Sequence, residues 1–164
     1  KLLNSEFVRI DHKDVITILK NADVKWEFQP EYGEDIAKEH ERYITEYFNG
    51  PVFIKNWPKD IKAFYMKQNE DGETVAAVDL EVPGAGELMG GSQREESYEK
   101  LVKRMDELGM NKEELSWYLD LRKYGSVPHS GFGIGLERAV AWISGIEHIR
   151  ETSAFPRLLN RLTP

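Results

Sequence analysis

The chain has 164 residues and a mass of 19.0 kDa, one ordinary domain by length, and it can bury roughly two-thirds of the surface its unfolded form exposes. With 40% apolar and 31% charged residues, and no apolar run near the ~20 residues of a membrane span, it reads as a globular, cytoplasmic protein with no membrane partner. A net charge of -7 weighs against grasping nucleic-acid phosphates directly, and the absence of cysteine excludes disulfides, thiolate zinc sites and cysteine nucleophiles.

In chain order, spacing predicts a first helix over about 12–22, capped by Asp11, with Val15, Ile16 and Leu19 as its apolar stripe. A second is predicted over about 33–49, with Ile36, Tyr43, Ile44, Tyr47 and Phe48 facing a core, and Asn49-Gly50-Pro51 stopping it. Pro51–Lys55 and Ala63–Lys67 read as short strands, the second ending at the turn Asn69–Gly72. Thr74–Val82 reads as a third strand, Pro83–Gly86 as a turn, and Glu87–Gly91 as the returning strand. Strands joined by such short turns pair antiparallel, because parallel pairing needs a crossover of a dozen or more residues.

Ser92-Gln93-Arg94-Glu95 matches a capping box and predicts a helix start. Tyr98, Leu101, Val102, Met105 and Leu108 follow at helical spacing, and Gly109 ends the run. A further helix carries Leu115, Tyr118 and Leu119 and closes near Gly125. Gly131–Gly135 then reads as a strand, followed by a helix from about Leu136 with Ala139, Val140 and Ile143, stopped by Ser144-Gly145. The expected class is α+β, an antiparallel β-sheet flanked by helices.

Three places carry candidate chemistry. Gly131, Gly133 and Gly135 alternate, so one strand face is bare and a flat ligand can lie against backbone, while Phe132 and Ile134 turn into a core. Arg138 falls in the first turn of the next helix, where the dipole disfavours a cation, so a phosphate or a base is the partner that explains it. The plainer alternative is a tight strand-to-helix contact with an exposed arginine. Asp79 and Glu87 flank the Pro83–Gly86 turn, and two carboxylates on neighbouring strands can share a divalent cation. They meet on one face only with an odd loop or a bulge. Otherwise they are solvated acids near a turn. Arg94 is expected in the first turn of a helix after Gly90-Gly91, either binding a carboxylate ligand or paired with Glu95 or Glu96. The histidines His12, His40, His129 and His148 are far apart and form no pair at metal-ligand spacing.

These sites stand in an order that resembles a known family. Gly131–Arg138 looks like motif 3 of the class II aminoacyl-tRNA synthetases. Glu87–Glu95 looks like the acidic strand and following helix of their aspartyl/asparaginyl subgroup. Gly33–Arg42, Lys62–Met66 and Trp117–Ser130 are most similar to the asparaginyl branch, and the likeness runs from about residue 9 to 157.

The resemblance implies an adenylate-forming ligase with ATP as substrate, Mg²⁺ as cofactor, and asparagine or aspartate as the amino acid. It implies that Arg138 packs on adenine near the γ-phosphate, with Gly133, Gly135, Leu136 and Glu137 around the adenosine. Glu87 with Asp79 would hold Mg²⁺, Arg94 would bind the side-chain end of the amino acid, and Gly90 would line that pocket. tRNA would be met through the parent protein, a homodimer. The OB-fold, motif 1 and motif 2 of such enzymes have no counterpart in these 164 residues, so the expectation is the C-terminal half of a catalytic domain, inactive alone. Two alternatives stay open: part of a synthetase-like, ATP-dependent asparagine synthetase, or a non-catalytic nucleotide-binding paralogue. The opening Lys1–Glu6 lacks a signal peptide's apolar core, and Leu158–Pro164 reads as a natural terminus.

Overall fold

The computed structural model describes residues 5–161, so Lys1–Asn4 and Leu162–Pro164, on which the readings of both termini partly rest, lie outside the described residues. Ten main elements follow in order: β1 (Val8–Asp11), α1 (His12–Lys20), α2 (Lys38–Tyr47), β2 (Val52–Pro58), β3 (Thr74–Val82), β4 (Gly86–Gln93), α3 (Tyr98–Glu107), α4 (Ser116–Lys123), β5 (Ser130–Ile134) and α5 (Leu136–Ser144). The strands form one sheet in the order β1-β2-β3-β4-β5. Every pairing from β2 onward is antiparallel, as expected.

The first pairing is not. Val8–Asp11 was not legible as a strand, and it runs parallel to β2, with Val8 beside Val52 and Ile10 beside Ile54. The intervening α1 and α2 make the crossover that parallel pairing requires. Two further expectations change. Ala63–Lys67 is a turn that meets the sheet through a bridge from Met66 to Arg94 and through Lys67, whose N–H donates to the Gln93 carbonyl and whose carbonyl accepts from the Ala76 N–H. The helix expected from Ser92 begins at Tyr98, because β4 continues through Gln93. Ser97 is its cap, its Oγ accepting the Lys100 N–H at 3.3 Å. A capping-box pattern at the end of a strand is outweighed by ladder hydrogen bonds that only the neighbouring strands reveal.

α1 and α2 close one face of the sheet. Val15, Ile16, Leu19 and Ile44 pack with Val52, Ile54, Trp57, Val75 and Ala77 in the main core. His40 is satisfied inside this layer: its Nδ1 accepts from the Ala37 N–H at 3.0 Å, so Nε2 carries the proton that meets the Phe28 carbonyl at 2.9 Å. A smaller cluster of Leu101, Met105 and Leu119 joins α3 to α4.

The opposite face of the sheet is different. Phe53, Leu80, Met89 and Ile134 line up across it through the register, as do Val78, Gly91 and Phe132. Phe132 is 70% exposed and Ile134 53%, where a core position was expected. Their strand does turn them away from the site, but no described element covers them. No helix among the described residues is long and apolar enough to cross a membrane.

Candidate functional site

The site begins with a hairpin irregularity. Leu80 pairs with Met89, but Glu81 pairs with Glu87, so Leu88 is an extra residue on β4. Gly86, at φ +69°, opens the strand in the left-handed region that glycine tolerates. A one-residue bulge reverses the facing of everything beyond it. Glu87 is thereby brought to the same face as Glu81 and Asp79.

Directly opposed residues share a face, and the register collects the rest. Asp79 opposes Gly90, Gly90 opposes Gly133, and Ser92 opposes Gly131. A Cβ on Gly90 would lie 3.0 Å from Glu87 Oε1 and 3.3 Å from Asp79 Oδ1. Both carboxylates therefore look into one notch, and Gly90 is what leaves it open. A Cβ on Gly133 would meet nothing within 4 Å, so the floor beside the notch is bare.

Two arginines border this floor. Arg138, in the first turn of α5, donates from Nη1 to the Glu87 carbonyl. Its aliphatic stem lies 3.6 Å from where Gly135 would carry a Cβ. Leu136 and Glu137 stand exposed beside it at the start of α5. Arg94 is not in the first turn of a helix, where the sequence reading puts it, since α3 starts only at Tyr98. It follows β4, where Nη1 donates to Ser92 Oγ at 2.9 Å and Nη2 to the Gly131 carbonyl at 3.4 Å, with the guanidinium 4.7 Å from the centre of the Tyr65 ring. Arg94 thus fills the bare spot at Gly131, and the strip of three glycines shrinks to the open floor at Gly133.

Three residues at the site were not singled out from the sequence. Lys62 is ion-paired with Asp79 Oδ2 at 2.6 Å. Glu41 of α2 reaches the hairpin so closely that a Cβ on Gly86 would collide with its Oε2. Glu81 is 1% exposed, and its Oε2 has no hydrogen-bond partner. Burial, with Glu41, Glu87 and Asp79 nearby, pushes the Glu81 carboxyl up to about 9. Burial raises Asp79 as well, against the pull of Lys62, and raises Glu41 against that of Arg138. Strand alternation could have found Glu81, which shares the parity of Asp79. Lys62 and Glu41 carry no local signal, since both arrive through tertiary packing. A separate polar hollow, lined by Asp11, Tyr32, Asn56, Asn69 and Asp71, shares no residue with this cluster.

The donor set is one of hard oxygens beside two guanidinium groups and an open glycine floor. Such a set suits a divalent cation and a phosphorylated, planar ligand.

The chain as a whole is similar to known proteins. The family model described as tRNA synthetases class II (D, K and N) matches residues 2–159. An asparagine–tRNA ligase of Acholeplasma laidlawii is 59% identical over 157 residues, which are 95% of this chain and 34% of that protein. The asparaginyl-tRNA synthetase of Pyrococcus horikoshii superposes with a TM-score of 0.88 at 48% identity, covering 96% of this chain and 37% of that one. The asparaginyl-tRNA synthetase of Entamoeba histolytica, solved with asparaginyl-adenylate, gives 0.89 at 39% identity, covering 96% and 37%. The chain spans about a third of the length of the curated relatives it matches, 34% in the first case.

Proposed function

Because the chain belongs to the class II tRNA synthetases of the aspartate, lysine and asparagine group, we propose that it supplies part of the active site of an asparagine–tRNA ligase. The observation that carries this reading is the notch over Gly90, which Asp79 and Glu87 both face with Arg138 tied to the Glu87 backbone.

The reaction is adenylation followed by transfer. A carboxylate oxygen of asparagine attacks the α-phosphorus of ATP, the bond to the bridging oxygen breaks, and pyrophosphate leaves. The acyl group then passes to a tRNA hydroxyl, and AMP leaves. No side chain of this site forms a covalent bond in that sequence. What the chain contributes is position and charge. Gly133, Gly135, Leu136 and Glu137 floor the adenosine, and Arg138 stacks on the base and meets terminal phosphate charge. Arg94, held by Ser92, Tyr65 and Gly131, presents its guanidinium to the side-chain amide of the amino acid, with Gly90 keeping the approach clear.

Asp79 and Glu87 fit Mg²⁺ by donor chemistry and by their shared notch, and a bound Mg²⁺ would neutralise charge on the phosphates. The ligase as a whole would be a cytoplasmic homodimer that meets tRNA through other parts. The apolar sheet face at Phe132 and Ile134 supports this division, since an uncovered apolar sheet face calls for a covering layer. In the ligase, that layer would come from the two-thirds that the relatives have and this chain does not span.

The test is ATP–pyrophosphate exchange. The isolated chain should give none with any amino acid, because it supplies only part of the site. Joined to the remaining segments of a close relative, it should give asparagine-dependent exchange. Exchange that depended on aspartate alone would overturn the choice of substrate. Asparagine-dependent exchange by the isolated chain would overturn the division of the site.

A further inference from the structure

Lys62 lies in the turn after β2, outside every main strand and helix. Its ammonium donates to Asp79 Oδ2 at 2.6 Å and sits 3.8 Å from the centre of the Trp57 ring. Only 16% of the Lys62 side chain and 9% of the Asp79 side chain is exposed. Trp57 is a fixed platform: it is 1% exposed, its Nε1 donates to the Ile54 carbonyl at 3.0 Å, and the His12 ring packs on it at 4.6 Å between centres. An ammonium desolvated between a carboxylate and an indole face has little freedom left.

The consequence falls on the other oxygen of Asp79. A carboxylate rotates easily about its last torsion, so one strong ion pair decides which oxygen is presented where. Lys62 holds Oδ2, and Oδ1 faces the notch over Gly90 that Glu87 Oε1 also faces.

We propose that Lys62 is a positioning residue, the internal cation that turns Asp79 Oδ1 toward the notch and so sets the geometry in which Asp79 and Glu87 share a divalent cation. This rests on the reading of those two acids as the cation's ligands. Positioning and simple electrostatics have opposite signs here. Removing a nearby positive charge removes repulsion and would tighten a divalent cation. Releasing Asp79 to rotate would loosen it.

The experiment uses the 164-residue chain, labelled with ¹⁵N and titrated with Mn²⁺ alone. The readouts are paramagnetic broadening of the Gly90 and Gly133 amide signals and the unfolding midpoint of each variant. The wild type should broaden at both glycines, and Asp79→Asn should abolish the effect. Lys62→Met should weaken apparent Mn²⁺ affinity roughly ten-fold, the scale typical for loss of a ligand's orienting partner. Lys62→Arg, which keeps charge and donors, should recover most of that loss. Lys62→Gln serves where Lys62→Met leaves Asp79 too poorly paired to fold. If Lys62→Met or Lys62→Gln binds Mn²⁺ as tightly as wild type or tighter, while Asp79→Asn has lost it, the role of Lys62 is overturned and the ligand reading stands. Absence of broadening in the wild type, or broadening unchanged in Asp79→Asn, overturns the ligand reading and the proposal with it.

Discussion

Gly90 stands directly across the β3–β4 ladder from Asp79, and the space where its side chain would be is the space that Asp79 Oδ1 and Glu87 Oε1 both face. What favours a glycine here is the close approach of two carboxylates. Its torsions are not those that only glycine adopts.

Gly90→Ala therefore tests the notch with one methyl group. Its Cβ would lie 3.0 Å from a flexible glutamate tip and 3.3 Å from Asp79, so the fold can yield a little. The unfolding midpoint should move by no more than about 1 kcal/mol in stability. ATP·Mg binding measured by calorimetry should fall roughly ten-fold or more, the scale of a disturbed metal site. Equal binding would show that the notch is not where the ligand sits.

Arg138→Ala removes a guanidinium that is exposed on α5 and anchored only to the Glu87 carbonyl among the contacts described. Stability should be nearly unchanged, as for an exposed side chain. ATP·Mg affinity should drop roughly ten-fold to a hundred-fold, the value of a lost charge-assisted contact of about 1.5–3 kcal/mol. Superimposable calorimetric titrations for wild type and variant would take Arg138 out of the nucleotide site.

His12 carries an acid limb of stability. It is fully buried against Trp57 and Tyr32, and burial, opposed by a backbone contact at Glu34, lowers its pKa from 6.5 to about 4. The folded state thus favours neutral histidine, whereas the unfolded chain takes up a proton near pH 6.5. The contribution is fully present above that pH and is lost as pH falls from about 6.5 to 4, at up to about 1.4 kcal/mol per unit. His12→Phe should flatten the pH dependence of urea unfolding in that window. An unchanged slope between pH 6.5 and 5 would show that His12 is not the group responsible.

Glu81 acts in the opposite direction. Its folded pKa is raised to about 9 from 4.5, so the folded state holds a proton that the unfolded chain has released. Stability from this group falls as pH rises from about 4.5 toward 9, again by up to about 1.4 kcal/mol per unit. Glu81→Gln keeps the shape without the charge. It should raise stability by about 2 kcal/mol or more at pH 8 and make little difference near pH 4.5. Denaturant melts at the two pH values decide it, and a variant less stable than wild type at pH 8 would contradict the account.

The sequence was most informative where residues act alone or as near neighbours. Alternation set the strand of Asp79, helical spacing set the helices of Val15, Ile44 and Leu101, and the glycine run before Leu136 marked the strand-to-helix junction, because these patterns follow from local geometry. It failed where a neighbour decides the outcome. Val8–Asp11 is a strand because β2 lies beside it, and Arg94 follows a strand instead of opening a helix because β3 and β5 keep β4 extended through Gln93. The same holds for the site: Asp79, Glu87, Arg94 and Arg138 were nameable from their order along the chain, and a bulge was one of two conditions for Asp79 and Glu87 to meet, whereas Lys62, Glu41 and the placing of that bulge at Leu88 were not. Ion pairs, bulges and the opposition of a glycine to an acid are relations between distant segments. Only the assembled sheet and the layer packed on it bring those segments within a few ångströms, where short-range forces can act.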